Sequence, residues 1–393
     1  MSGVSLPVID RSPAAASPTA TPRAPAAVPA ALPRAMVFGC AGPVLLPDER
    51  AFFAESNPLG FILFKRNVES PEQVKTLISE LRAAVGRDDA PVLIDQEGGR
   101  VARLRPPDWP AHPPARCIGA LAERSPKDGI EAAWLNGRLL AAMLHDLGIT
   151  VDCTPVCDVP VPHAHDVIGD RAFSDDPALV STLARACCDG LLAGGVLPVI
   201  KHIPGHGRAR TDSHEELPVV DESSGELDVT DFVPFRELAD QAMGMVAHVV
   251  YRALDPKHPA STSPTVIGQV VRGQLGFDGL LFSDDLSMGA LHGSAAARAK
   301  AVLAAGCDIA LHCNGTMAEM RDIAAVTPYL EGEAGIRWQR ARVALQPPQP
   351  MILAEARARL EQLLEGVRLD PVGGDWVAGV TEDPTTRHRP PAG

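Results

Sequence analysis

Aromatic residues are scarce in this chain, 4% of 393 positions, which argues against a stacking platform for single-stranded nucleic acid. Positive charge is also in deficit. Thirty-six Lys and Arg stand against 49 Asp and Glu, a formal net charge of -13. No basic patch stands out, so nucleic acid is not an expected partner. No apolar run reaches the ~18–20 residues of a membrane helix, and no membrane partner is expected. The N-terminus has no basic segment followed by an apolar one, so the expectation is a cytoplasmic protein without a secretory signal. No G-x-G-x-x-G follows the first strand-like run and no H-E-x-x-H occurs, which removes the simplest dinucleotide and zinc-protease readings. Cys40, Cys117, Cys153, Cys157, Cys187, Cys188, Cys307 and Cys313 lack the spacing of a small disulfide scaffold. Reduced, buried thiols are expected instead.

What is present is enough apolar material, 46% of residues, for a large core. Eight short strand-like runs recur: Met36–Cys40, Gly60–Phe64, Val92–Glu97, Thr150–Val156, Pro198–Ile203, Gly244–Val250, Leu280–Leu286 and Cys307–Cys313. Stretches with apolar residues at three- and four-residue spacing separate most of them: Pro71–Val85, Gly129–Leu147, Pro177–Ala193, Asp231–Ala242, Thr265–Gln274 and Ala295–Ala305. Ser70 and Asp231 are expected helix N-caps, the former followed by Pro71 in the first turn. The alternation predicts an α/β fold, a single (β/α)8 TIM-type barrel. The span exceeds the ~250 residues usual for that fold, so enlarged loops are expected, the proline-rich stretch 98–128 among them. A doubly wound open sheet is the alternative. Residues 1–34, rich in Ala, Pro, Ser and Thr, are expected to be a disordered extension. Residues 35–368 are expected to form the folded domain and 369–393 a flexible tail.

Titratable residues gather at the ends of the strand-like runs, where a barrel keeps its chemistry. Lys201-His202-Ile203-Pro204-Gly205-His206-Gly207 follows the apolar run Val196–Ile200, and Asp212-Ser213-His214 comes five residues later. Asp95 and Glu97 end the third run, His248 the sixth, and Asp284 with Asp285 the seventh. Of the paired aspartates, one is read as a nucleophile and the other as a helix cap or a partner of backbone amides. Asp212 is placed to orient His214 as an acid/base group on a loop. Arg171 either clamps a polar substrate or pairs with Asp170 or Asp175. Cys153, Cys157, His163 and His165 form C-x3-C-x5-H-x-H, whose ligand types suit zinc. Buried thiols and loop histidines are the preferred reading, so neither metal nor cofactor is expected.

Four strings taken together carry a resemblance: IDQEGGRVARL at 94–104, VIGDRAF at 167–173, KHIPGHG at 201–207 with DSH at 212–214, and FSDDLSM at 282–288. In order and spacing, over Met36 to Asn314, they resemble the β-N-acetylhexosaminidase branch of glycoside hydrolase family 3. The resemblance implies a single-domain barrel that cleaves terminal N-acetylglucosamine in bacterial cell-wall recycling. The implied carbohydrate substrates are N-acetylglucosaminyl-1,6-anhydro-N-acetylmuramic acid and its peptide derivatives. By matching position it implies Asp284 as nucleophile, His214 as general acid/base and Asp212 as its partner. Asp95, Arg103, Arg171, Lys201 and His202 would bind sugar hydroxyls. Gln96 stands where the family often has histidine, and Ile203 where it often has phenylalanine. Three other activities share parts of this pattern: a phosphorylase using phosphate as acceptor, a sugar-binding protein without catalysis, and a zinc hydrolase. The sequence leaves the oligomeric state open.

Overall fold

The computed structural model describes residues 32–367 apart from 163, 210, 212, 214–216 and 315. Most of the expected N-terminal extension and all of the 369–393 tail lie outside the described residues.

The strands are β1 (Arg34–Gly39), β2 (Pro58–Leu63), β3 (Val92–Ile94), β4 (Val151–Asp152), β5 (Leu197–Pro198), β6 (Ile200–Ile203), β7 (Val219–Val220), β8 (Met243–Val246), β9 (Val250–Tyr251), β10 (Leu280–Ser283) and β11 (Ala310–His312). The helices are α1 (Pro47–Ser56), α2 (Pro71–Val85), α3 (Ala115–Arg124), α4 (Pro126–Leu147), α5 (Pro177–Ala193), α6 (Ser224–Val229), α7 (Phe232–Glu237), α8 (Ala295–Ala305), α9 (Met317–Val326), α10 (Gly332–Ala344) and α11 (Leu353–Leu364). Between α7 and α8 the segment Val266–Gln274 winds as a wider π-helix.

The fold is α/β, and its strand ladders are parallel. A six-stranded sheet has the order β11-β1-β2-β3-β4-β5, a three-stranded sheet the order β10-β8-β6, and β7 pairs with β9. Val37 stands opposite Leu311 on one side and Gly60 on the other, so the first strand lies between the last and the second. Parallel bridges also join Val156 to Lys201 and Phe282 to Ile309.

Both faces of the strands are buried, as parallel sheets require. In β1, Met36 and Phe38 pack into the large cluster that includes Phe53, Leu77 and Leu140 of the helices. Val37 between them joins a second cluster with Leu93, Val151, Leu197, Met243 and Phe282. The period-two alternation of a strand makes that division. Trp338 and Ala341 of α10 belong to the second cluster. The backbone N–H of Ala35, at the start of β1, bonds Pro328 O, shortly before α10 begins. This helix therefore covers the N-terminal ends of the strands and leaves their C-terminal ends for the site.

The capping expectation holds at Ser70, whose hydroxyl accepts the Gln73 N–H. It fails at Asp231, which makes no cap bond; its carboxylate receives Arg208 Nε at 2.6 Å and the Thr230 hydroxyl. The stretch 98–128 is not wholly loop, because α3 and the start of α4 fall within it.

Candidate active site

Strand ends deliver the charged residues to one pocket. Asp95 follows β3, Lys201 and His202 belong to β6, and Asp284 follows β10. Arg103 arrives on the loop after β3 and Arg171 on the segment after β4. All six line the pocket. Its apolar floor includes Ile62, Met245 and Leu311, side chains of the strand-interior cluster. Asp212 and His214 lie outside the described residues. Ser213 between them lines the same pocket; its hydroxyl is 3.1 Å from His206 Nε2 and its carbonyl accepts the Ala290 N–H.

A buried ion cluster forms one wall. Lys201 Nζ lies 2.8 Å from Asp95 Oδ1 and 2.7 Å from Glu97 Oε1. Arg103 donates to Asp95 Oδ2 at 3.0 Å. Arg171 grips Glu97 through Nε at 2.9 Å and Nη2 at 2.8 Å, a bidentate pair. Arg171 thus pairs with neither Asp170 nor Asp175, because Glu97 reaches it first; Asp170 pairs with Arg100. Within these pairs three cations meet two carboxylates.

Burial pushes the Asp95 carboxyl up, but the Lys201 ammonium and the Arg103 guanidinium outweigh it and hold the group well below the usual range. Glu97 is likewise pushed up by burial and then held at about 2 by Arg171 and Lys201. Burial would lower Lys201; Asp95 and Glu97 reverse that and keep it charged. Asp152 is the exception. Burial drives it well above the carboxylate range, and its Oδ1 accepts the Gln96 N–H at 3.0 Å. Gln96 itself ties the following loop, accepting from Arg103 N and Leu104 N and donating to Leu104 O.

The two aspartates after β10 separate by their partners. Asp285 Oδ1 accepts the Ser287 and Cys313 N–H groups at 3.0 Å, and Oδ2 accepts the Ser287 hydroxyl. A carboxylate so engaged is a structural anchor. Asp284 Oδ1 accepts the Asp285 N–H at 2.8 Å, and its side chain lines the pocket.

His202 Nδ1 lies 2.7 Å from Asp158 Oδ2, and Asp158 Oδ1 accepts the His206 N–H. Burial, followed by the neighbouring His202, lowers His206 to about 4. Gly207 passes so close to the β4 loop that a Cβ would stand 2.0 Å from Val159 O, so only glycine fits. His248, expected at the site, does not line the pocket; its Nδ1 meets the Ser261 hydroxyl at 2.7 Å and its Nε2 the Asp285 carbonyl at 3.1 Å.

Sequence reading placed Glu97 near the site without a role and missed Asp158 and Phe64. The Phe64 ring lines the pocket with Arg103 and Arg66 guanidiniums 5.1 and 4.9 Å from its centroid. The eight cysteines are buried and unpaired, as expected. Of the Cys/His set, Cys157 Sγ contacts the Pro155 carbonyl and His165 Nδ1 accepts the Val167 N–H, while His163 lies outside the described residues. Among the described residues, no group of three or more His, Cys, Asp or Glu is arranged to hold a metal ion.

Comparison with known proteins gives the arrangement its context. Residues 47–344 match the glycosyl hydrolase family 3 N terminal domain. A β-hexosaminidase of Aromatoleum aromaticum is 37% identical over 359 residues, 87% of this chain and 94% of the relative. One from Chromobacterium violaceum is 38% identical over 340 residues, 86% of this chain and 87% of the relative. Among solved structures, NagZ from Neisseria gonorrhoeae in complex with N-trifluoroacetyl-D-glucosamine superimposes with a TM-score of 0.77 at 32% identity, covering 86% of this chain and 100% of that one. The chain belongs to glycosyl hydrolase family 3, and with these relatives it is a glycoside hydrolase of the β-hexosaminidase kind.

Proposed function

We propose that this enzyme is a retaining exo-β-N-acetylglucosaminidase. Its substrates are muropeptides, N-acetylglucosaminyl-1,6-anhydro-N-acetylmuramic acid and its peptide derivatives, and its place is cytoplasmic cell-wall recycling. The observation that carries the reading is the lining of one pocket, where the Asp284 carboxylate after β10 joins Asp95, Arg103, Arg171, Lys201 and His202. The neisserial NagZ structure, which holds an N-acylated glucosamine, supports the sugar class.

In the first step an Asp284 oxygen attacks the anomeric carbon, the bond to the leaving oxygen breaks, and His214, held by Asp212, gives that oxygen a proton. In the second, His214 takes a proton from water, the water oxygen attacks the anomeric carbon, and the Asp284 carboxylate departs. Asp95, Arg103, Arg171, Lys201 and His202 hold the sugar hydroxyls. Among them the Asp95 carboxylate can only accept, and Lys201, Arg103 and Arg171 can only donate.

The parallel ladders support a (β/α)8 barrel over about 35–368 as the catalytic domain. Such a barrel would run β1, β2, β3, β4, β5 with β6, β8, β10 and β11; β11 pairs with β1, and isolated parallel bridges link Val156 to Lys201 and Phe282 to Ile309.

The test is release of nitrophenol from an aryl N-acetyl-β-glucosaminide. Wild type is expected to be active and Asp284→Ala to lose nearly all activity while staying folded. Asp285→Ala is expected to lose stability as well, because buried N–H groups are left without an acceptor. A fluorinated sugar should label the 280–288 peptide. An active Asp284→Ala variant, or an unlabelled peptide, would remove the covalent mechanism. Formation of sugar 1-phosphate on adding phosphate would make the enzyme a phosphorylase.

A further inference from the structure

Asp158 follows β4 and has no exposed surface. Its carboxylate serves three donors. Oδ2 lies 2.7 Å from His202 Nδ1, and Oδ1 accepts the backbone N–H of His206 at 2.7 Å and of His202 at 3.2 Å. Two of these donors are backbone N–H groups, which can only donate, and three donors converging on one carboxyl favour its ionised form. An ionised carboxylate is acceptor-only. The hydrogen in the 2.7 Å contact therefore belongs to the ring, on Nδ1. That leaves Nε2 as the remaining polar atom of a ring that lines the pocket. The neighbouring His206 ring stands edge-on to it, centroids 5.6 Å apart, with its own Nε2 directed at Ser213.

We infer that Asp158 is a positioning residue: it fixes the hydrogen of the neutral His202 ring on Nδ1, so that in this form Nε2 is the bare nitrogen of a ring that lines the pocket and accepts a hydrogen bond from a sugar hydroxyl. The hydroxyl half of this inference rests on the proposed function; the tautomer half does not. His202 then differs in kind from the cations beside it. Lys201, Arg103 and Arg171 only donate, whereas His202 requires a hydrogen from the ligand.

The two backbone N–H groups make the inference testable by one isosteric change. In Asp158→Asn the amide oxygen must stay on the side of the His202 and His206 N–H groups, since both need an acceptor. The NH2 then takes the place of Oδ2 and points at His202 Nδ1. A donor there forces Nδ1 to accept, and the ring hydrogen moves to Nε2. The same side-chain shape gives the opposite tautomer, the kind of effect known for an Asp→Asn change behind a catalytic histidine.

The experiment is a two-bond ¹H–¹⁵N correlation spectrum of the full chain with ¹⁵N-histidine at about pH 8, above the ~6.5 of ordinary histidine. The His202 signals are assigned by their loss in His202→Gln. In wild type, Nδ1 is expected to be protonated and Nε2 bare; in Asp158→Asn, the reverse. The KM for the aryl glycoside should rise about tenfold in Asp158→Asn, with kcat within about threefold, because ground state and transition state lose the same contact. A wild-type His202 protonated on Nε2 overturns the inference, whether or not Asp158→Asn folds. So does a folded Asp158→Asn that keeps both the tautomer and KM. A wild type inactive on the glycoside but with bare Nε2 would remove the proposed substrate and uphold the positioning role.

Discussion

Glu97 is the residue on which the buried ion cluster depends, because one carboxylate holds both Arg171 and Lys201. Removing one member of a buried charged group costs more than the group contributes, since the others stay buried without their counter-charge. Glu97→Gln keeps the shape and removes the charge. It is expected to cost on the order of 3 kcal/mol in denaturant unfolding. It should also raise KM for the aryl glycoside more than it lowers kcat, as the arginine and lysine turn from their present positions. A variant with wild-type KM would mean that neither cation binds the sugar through this geometry. Residues of this kind show how far the site was legible. Asp95, Lys201 and the Asp284–Asp285 pair could be picked out because charged residues at the end of an apolar run have few structural uses, whereas Arg103 and the choice of Asp284 over Asp285 came from the family resemblance alone. Glu97 and Asp158 could not be assigned, because what defines them is a partner far along the chain, 74 residues on for Arg171 and 44 for His202. Nothing in local sequence encodes which partner a buried carboxylate meets.

At the scale of elements, helices were readable where their ends carry chemical punctuation. Pro71–Val85, Pro177–Ala193 and Ala295–Ala305 match expectation at both ends, each followed by a glycine, and the first two begin with proline. α1, α3, α6, α9, α10 and α11 were missed, α1 because it has little amphipathic pattern and α3 because it lies in a proline-rich stretch. Strands were read too long at their C-terminal ends. Val92–Glu97 was expected and only Val92–Ile94 is strand, since the Gln96 N–H goes to the Asp152 carboxylate and the Glu97 N–H to the Val101 carbonyl instead of to a neighbouring strand. The packing of α4 on α5 was not visible at all, although glycines set it. A Cβ on Gly137 would stand 2.4 Å from the Cys187 carbonyl oxygen, and one on Gly190 2.2 Å from that of Trp134. Gly137→Ala should therefore destabilise the enzyme by about 1–3 kcal/mol, as overpacking does, despite alanine's better helix propensity. Equilibrium unfolding measures it; a neutral or stabilising result would mean that the two helices separate freely.

For the whole molecule, buried histidines govern how stability depends on acidity. His112 Nδ1 lies 2.8 Å from Asn136 Oδ1, and burial lowers this imidazole from 6.5 to about 4. A histidine with a depressed folded value binds its proton more readily once unfolded. Its contribution is complete above about 6.5 and declines as pH falls towards 4. For His112 that is on the order of 3 kcal/mol. Asp152 opposes the trend, because a carboxyl with a raised folded value loses stability as pH rises. The clean measurement is thus a difference: unfolding free energy between pH 7 and 4 should fall less steeply for His112→Asn than for wild type, by up to one proton in slope. Parallel curves would show that His112 titrates equally in both states. Below that window Glu97 and Asp158, both held near 2, lose their contributions from about pH 4 downward. The cysteines carry a different, practical consequence. They are spread from β1 to the end of β11, all buried, with Cys40 and Cys117 pushed by burial to about 12. Thiol-directed probes react with the thiolate, which these groups withhold. A single cysteine introduced on the surface would be the one fast-reacting position, so fluorophores and spin labels can be attached to the native enzyme without first replacing its eight natural thiols.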